Sequence, residues 1–327
     1  MRRELEIAGR RIGEGHPCFV IAEAGVNHNG RLDLALELVD AAAAAGADAI
    51  KFQTFSAETL VSPDAPQFPY VEGGEGATSQ FEMLRRLELP RADHEPIRRR
   101  AEARGLVFLS TPFHESDADW LNSFGIPAFK IPSGEVTNLP YLRHIAAMGK
   151  PVILSTGMCT LGEVDLAIAA MGEAGARELV ILHCVSDYPA DPADINLRAM
   201  ETLQRAFGVP VGYSDHTVGI DVALAAAALG ANLIEKHLTL DRSLPGPDHR
   251  ASTDPSEFGR MTHGIHAITA ALGDGIKRPT PSELKTRVCV RKSLVAARDI
   301  AAGETLSEDV VAVRRPGDGL APDMLAL

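Results

Sequence analysis

The chain has few cysteines, no excess of positive charge and no long apolar run, and each lack removes a class of protein. Cys18, Cys159, Cys184 and Cys289 are the only thiols in 327 residues. They show no paired metal-binding spacing, and their density is too low for a disulfide scaffold. This usage predicts a reducing cytoplasm, with the four thiols as buried small hydrophobes. Acidic residues number 44 against 32 basic ones, a formal charge of −12. That balance argues against nucleic acid or an anionic membrane as partner, since either calls for a basic face. No stretch approaches the roughly 18 uninterrupted apolar residues of a membrane span, and no signal peptide is expected ahead of Glu4.

What the chain does have is eight short apolar runs, at 19–25, 49–55, 106–113, 128–135, 151–157, 179–186, 210–217 and 232–239. Strands buried on both faces read as continuous apolar runs, so a charged residue at such a strand's far end is costly unless it faces a site. Nearly every run ends in residues able to do chemistry: Glu23, Lys51 and Gln53, Ser110 and Thr111, Lys130 and Ser133 with Glu135, Ser155, His183 and Ser186, Ser214 to Thr217, and Glu235 to His237. Seven of the runs follow a helix-like segment closed by a glycine: Gly46, Gly105, Gly125, Gly149, Gly175, Gly208 and Gly230. Glycine takes the left-handed conformation that ends a helix, and a strand starting within about two to four residues is the usual αβ joint. Leu32, Ala35, Leu36, Val39, Ala42 and Ala43 make one apolar helix face. Eight βα units predict an α/β fold, a closed (β/α)8 TIM barrel with its site at the strands' C-terminal ends.

The length leaves room for a barrel of roughly 250 residues and a small second domain. The barrel is placed at 1–275, a linker at 276–286 around Arg278-Pro279-Thr280-Pro281, and a compact unit of short strands at 287–327. The proline- and glycine-rich stretch 56–80 leaves the second strand's C-terminal end and reads as a lid or substrate-contacting loop.

His216 and His237 end the seventh and eighth strands, where two neutral imidazoles could converge on one divalent ion; the alternative is a pair of structural histidines. Lys51, Thr111, Lys130, Ser133, Ser155, Ser186 and Ser214 would together bind a small polyanion. The plainer alternative pairs each lysine with a local acid, Lys130 with Glu135 or Lys236 with Glu235. A third makes Lys130 or Lys51 a Schiff-base nucleophile. Asp215 and Glu235 fit support of the histidines, leaving Glu23 and Glu135 as the acid–base candidates.

Ala22-Glu23-Ala24-Gly25-Val26-Asn27-His28-Asn29-Gly30, Lys51-Phe52-Gln53-Thr54, Lys130-Ile131-Pro132-Ser133-Gly134-Glu135, Gly212-Tyr213-Ser214-Asp215-His216-Thr217, Glu235-Lys236-His237 and Gly246-Pro247-Asp248-His249 resemble the sialic acid synthase family, with further matching segments in order along the chain. The C-terminal piece resembles the start of that family's antifreeze-like (SAF) domain, and ending at Leu327 it is expected to be shortened.

The resemblance implies condensation of phosphoenolpyruvate with an open-chain N-acylated mannosamine-type sugar, giving a nonulosonic acid and phosphate. N-acetylneuraminate is the first expectation and N,N'-diacetyllegionaminate the alternative. A Schiff-base aldolase or a non-catalytic sugar-binding barrel are more distant rivals. It implies Mn2+ or Mg2+ on His216 and His237. It places Lys51, Thr111, Lys130, Ser133, Ser186 and Ser214 on phosphoenolpyruvate, Gln53, Tyr188 and Asp248 on the sugar, and Glu23 and Glu135 at the reacting centre. Arg315 matches an arginine that reaches sugar bound in a neighbouring subunit, which implies a domain-exchanged homodimer. The family's sugar-binding asparagine has no counterpart in Glu75-Gly76-Ala77. Phe68 and Tyr70 could wall the apolar C6 of a deoxy sugar.

Overall fold

The computed structural model describes residues 1–66 and 79–326, so Phe68, Tyr70 and residues 75–77 lie outside the described residues. It opens with a hairpin that the apolar-run pattern does not reveal, β1 (Glu4–Ile7) paired antiparallel with β2 (Arg10–Gly13). Leu5, Ile7 and Ile12 from this hairpin join Ile21, Leu109, Ile153 and Leu182 in one buried cluster. The alternation of Glu4-Leu5-Glu6-Ile7 ahead of Ala8-Gly9 was the available signal.

The eight apolar runs form eight strands: β3 (Phe19–Gly25), β4 (Ala49–Thr54), β5 (Val107–Pro112), β6 (Phe129–Ile131), β7 (Val152–Ser155), β8 (Leu179–Cys184), β9 (Val211–Asp215) and β10 (Leu233–His237). They make one eight-stranded sheet in the order β5-β4-β3-β10-β9-β8-β7-β6, its pairings parallel throughout. Joining β3 to β10 wraps the sheet into a nearly closed barrel. Helices alternate with the strands: α1 (Leu32–Ala44), then α2 (Ala57–Leu60), α3 (Gln80–Leu87) and α4 (Arg91–Ala103) between β4 and β5, α5 (Glu115–Phe124), α6 (Leu139–Ala147), α7 (Leu161–Glu173), α8 (Ala199–Phe207), α9 (Asp221–Ala228) and α10 (Pro255–Leu272). All seven joint glycines take positive φ, from 61° at Gly208 to 112° at Gly175. The main core lies between strands and helices, where Leu38, Phe52, Ile97, Phe129, Tyr213 and Phe258 are buried.

Stretch 56–80 is less bare than its composition implies. It contains α2 and the start of α3, whose N-cap Ser79 side chain accepts from the Glu82 amide. Val26, Phe55, Ala57, Met83, Leu84 and Leu87 form a cluster of their own there.

The chain divides into two compact units, Met1–Gly273 and Asp274–Leu327. In the second, α11 (Pro281–Val290) covers part of the expected linker, because Thr280 and Glu283 form a capping box that starts a helix at Pro281. β11 (Ser293–Ala296) then pairs antiparallel with β12 (Val311–Arg314), as the short-strand pattern predicts. Of the four thiols expected to be buried, Cys18 and Cys184 are, whereas Cys159 is half-buried and Cys289 on α11 is exposed. Among the described residues no helix is long and apolar enough to cross a membrane.

Candidate active site

The barrel's C-terminal end encloses a cavity of about 530 Å³. It is lined by Glu23, Lys51, Gln53, Thr111, Lys130, Ser133, Ser186, Tyr188, Ser214, His216, His237 and Asp248, twelve of the fourteen site residues named from sequence. Strand register explains the convergence. Glu23 on β3 pairs with His237 on β10 and with Lys51 on β4, Gln53 pairs with Thr111 on β5, and Glu235 on β10 pairs with Ser214 on β9. Because alternate residues of a strand face alternate sides, Lys51 and Gln53 point inward together, as do Glu235 and His237.

Two lysines and two carboxylates meet in this cavity. Lys51 Nζ lies 2.6 Å from Glu23 Oε2 and 3.6 Å from Glu235 Oε2, and donates to Thr111 Oγ1 at 3.1 Å. Lys130 Nζ lies 3.2 Å from Glu235 Oε1, which also accepts from Ser214 Oγ at 2.9 Å. All four ionisable side chains are at most 5% exposed, so charge here persists only through mutual compensation.

The two carboxylates are driven apart. Burial raises the Glu23 pKa, and Lys51 offsets only part of that rise. Burial acts on Glu235 too, but Lys130 and Lys51 outweigh it and hold this carboxyl well below its ordinary value. A carboxyl whose proton affinity is raised beside one whose proton affinity is lowered is the pattern of divided acid–base roles. Lys130 is lowered by burial despite Glu235, whereas Lys51, against two carboxylates, is raised.

Glu235, expected from sequence to support a histidine or to pair with Lys236, joins Lys51 and Lys130 instead. Its inward parity with His237 was the signal. Glu135 falls elsewhere. It sits half-buried on a 3₁₀ turn after β6, where its Oε2 accepts from Asn138 at 2.7 Å, and it does not line the cavity. The turn carries it away from the inward Lys130. The Lys130–Glu135 and Lys236–Glu235 pairings also do not occur: Lys130 meets Glu235, and Lys236 meets Asp215. Arg315 belongs to the second unit, exposed next to Pro316.

The remaining polar residues suit an anion. The Gly157 amide donates to Ser133 Oγ at 2.8 Å, and a Cβ at Gly157 would fall 2.3 Å from Ser186 Oγ, so the glycine leaves room for the Ser186 hydroxyl as it stands. Ser155 Oγ lines the same cavity, buried and without a hydrogen-bond partner among the described residues.

The two histidines have ring centroids 5.6 Å apart. His216 Nδ1 bonds the Val185 carbonyl at 2.6 Å, which makes Nδ1 the protonated nitrogen and leaves Nε2 its lone pair. His237 Nδ1 is buried with no hydrogen bond, 3.7 Å from Asp248 Oδ2. Burial lowers the His216 pKa to about 4 and that of His237 well below its ordinary value, so both rings are neutral, as metal ligation requires. Two neutral imidazoles, one with an orphaned nitrogen, are side chains of a kind that could hold a divalent ion. No group of three or more His, Cys, Asp or Glu among the described residues is arranged to hold one.

A (β/α)8 barrel that gathers two ammonium groups, a pair of unlike glutamates and two neutral imidazoles in one cavity has the makings of an enzyme site. The chain belongs to the NeuB family, the sialic acid synthases, and is a transferase of that class: the family profile matches residues 38–277, and a SAF domain matches residues 291–327. It is 48% identical over 319 residues to the N,N'-diacetyllegionaminic acid synthase of Legionella pneumophila, covering 96% of this chain and 90% of that protein. It is likewise 48% identical over 305 residues to the protein of that name from Campylobacter jejuni, covering 92% of this chain and 91% of that one. Among solved structures, the N-acetylneuraminic acid (sialic acid) synthetase of Leptospira borgpetersenii in complex with citrate superposes with a TM-score of 0.78. That pair is 35% identical, covering 88% of this chain and 95% of the other.

Proposed function

We propose that the chain condenses phosphoenolpyruvate with 2,4-diacetamido-2,4,6-trideoxymannose, releasing phosphate and N,N'-diacetyllegionaminate. The observation that carries the chemistry is the Lys51–Glu235–Lys130 cluster beside Ser133, Ser155 and Ser186. In the reaction, C3 of phosphoenolpyruvate bonds to the sugar's aldehyde carbon, the aldehyde oxygen takes a proton, water adds at C2, and the C2–O bond to phosphate breaks. Lys51, Lys130 and the hydroxyls of Thr111, Ser133, Ser186 and Ser214 hold the phosphate and carboxylate. Glu23, whose proton affinity burial raises, is placed to give a proton to the developing alkoxide. Glu235, always ionised, keeps both lysines charged. Gln53, Tyr188 and Asp248 orient the sugar hydroxyls. Mn2+ or Mg2+, held by His216 and His237, would supply Lewis-acid polarisation of the aldehyde.

Identity of 48% to two diacetyllegionaminic acid synthases, against 35% to an N-acetylneuraminic acid synthetase, favours the diacetamido sugar over N-acetylmannosamine, the first expectation from sequence. A sugar 6-phosphate is disfavoured. Lys51 and Lys130 are the only Lys or Arg among the cavity's described lining residues, both face carboxylates, and residues 67–78 contain no Lys or Arg. Arg315, exposed on the second unit, is assigned to the acyl group of sugar in a partner's cavity. The assembly would then be a domain-exchanged homodimer, with a sedimentation mass twice 34.8 kDa.

Phosphate release from phosphoenolpyruvate, measured with the diacetamido sugar, with N-acetylmannosamine, with its 6-phosphate and with no sugar, tests the reading. Sugar-dependent release fastest with the diacetamido sugar supports it. Metal-independent turnover, with borohydride trapping of substrate on Lys130 or Lys51, would establish the Schiff-base reading instead.

A further inference from the structure

Part of the cavity wall is apolar and comes from outside the barrel proper. Leu60 and Val61, at the end of α2, and Met83, Leu84 and Leu87, along α3, line the same cavity as the lysines and histidines. The α3 residues are buried, packed with Val26, Phe55 and Ala57 in a cluster separate from both barrel cores. Leu60 and Val61 are half-buried and pack on that cluster, so they keep apolar surface toward the cavity.

This wall is a poor surface for hydroxyl or phosphate. A polar group pressed against it loses water and gains no hydrogen bond. In the described part of this wall only Gln80, half-buried at the start of α3, offers a side-chain amide. A methyl group meets the opposite situation, since its transfer from water to such a surface is favourable. A sugar with methyl at C6 and acetamido methyls at C2 and C4 has three such groups, whereas N-acetylmannosamine has one and carries hydroxyls at C4 and C6.

We infer that Leu60, Val61 and Met83 are specificity-determining residues, which select the acceptor by contact with its C6 methyl and acetamido methyls. The inference rests on the condensation reading and deepens it: the barrel residues do the chemistry, and the α2–α3 segment chooses the sugar. Differences of one methyl or methylene in an apolar pocket discriminate by about 10- to 200-fold, so a few such contacts suffice.

The test compares kcat/KM for the diacetamido sugar with that for N-acetylmannosamine, in the full chain, for wild type, Val61→Thr and Met83→Gln. Val61→Thr keeps the side-chain shape at a half-buried position, so it reports even if the buried Met83→Gln unfolds α3. The expected result is a fall of about 10-fold or more in the ratio of the two values, with the KM for phosphoenolpyruvate unchanged. A wild type that discriminates while Val61→Thr retains the same ratio overturns this inference and leaves the substrate reading standing. A wild type that turns over both sugars equally, or only N-acetylmannosamine, overturns both.

Discussion

Asp215 and Lys236 form a 2.6 Å ion pair with almost no solvent exposure, and each immediately precedes one of the two cavity histidines. Strand alternation turns them away from the cavity, behind the site. Asp215 Oδ1 also accepts from Tyr213 Oη and from the Thr217 amide and hydroxyl, and Lys236 Nζ donates to the Thr217 carbonyl. The ends of β9 and β10 are therefore tied together where His216 and His237 begin. Breaking a buried pair strands one charge, so Asp215→Asn or Lys236→Met should each cost about 3–5 kcal/mol, read by denaturant unfolding of the metal-free protein. The double variant Asp215→Leu with Lys236→Met should recover only part of that, because Tyr213 and Thr217 still lose an acceptor. Single variants as stable as wild type would show that the pair contributes no net stability.

The two halves of this arrangement were unequally legible. His216, His237 and the strands carrying them are visible in sequence because a strand buried on both faces tolerates polar residues only where its end meets a site. Which acid each lysine meets is a different matter, since it depends on barrel register between strands far apart in the chain. Lys130 finds Glu235 and Lys236 finds Asp215, while the sequence neighbours Glu135 and Glu235 suggested otherwise. The apolar wall was equally hidden. Proline and glycine dominate stretch 56–80, and the residues that build the wall, Leu60 and Val61 near its start and Met83 just beyond its end, gain meaning only once they pack together.

Glu235 should set the pH range in which Lys130 works. Burial already lowers the Lys130 pKa, and Glu235 is the largest influence opposing that fall. In Glu235→Gln the opposition disappears, so Lys130 loses its proton at lower pH. Anion binding needs the ammonium form, so activity is lost as pH rises through that pKa, and the basic limb of kcat/KM for phosphoenolpyruvate should move to lower pH. A profile of unchanged shape, reduced equally at every pH, would remove Glu235 from this role.

Removal of metal should separate folding from chemistry. Chelation followed by dialysis is expected to abolish phosphate release, and added Mn2+ to restore it. His216→Ala and His237→Ala should lose Mn2+ binding in calorimetry while keeping the wild-type circular dichroism spectrum. Full turnover in protein shown by elemental analysis to be metal-free would refute the assignment.

Buried neutral histidines should make the barrel acid-labile well above the carboxylate range. His28 is almost wholly buried, with Nδ1 accepting from the Gly30 amide, and burial lowers its pKa to about 4. His249, bonded to Thr239 and Asn29, is likewise lowered by burial to about 4. His94, packed edge-on against Trp120 and bonded to Thr54, moves in the same direction. An unfolded histidine takes up its proton near about 6.5. Between there and about 4 the unfolded chain therefore binds more protons than the folded one, and stability rises with pH across that window. The contribution of these histidines should be level above the window and decline as pH falls through it. His28 alone would contribute about 3 kcal/mol to the decline if its full shift is realised. Thermal unfolding from pH 8 to pH 4 checks this. His28→Gln, whose side-chain oxygen can still accept from Gly30, should flatten the slope inside the window and leave the region above it parallel to wild type. An unchanged slope in that variant would mean the acid sensitivity arises elsewhere.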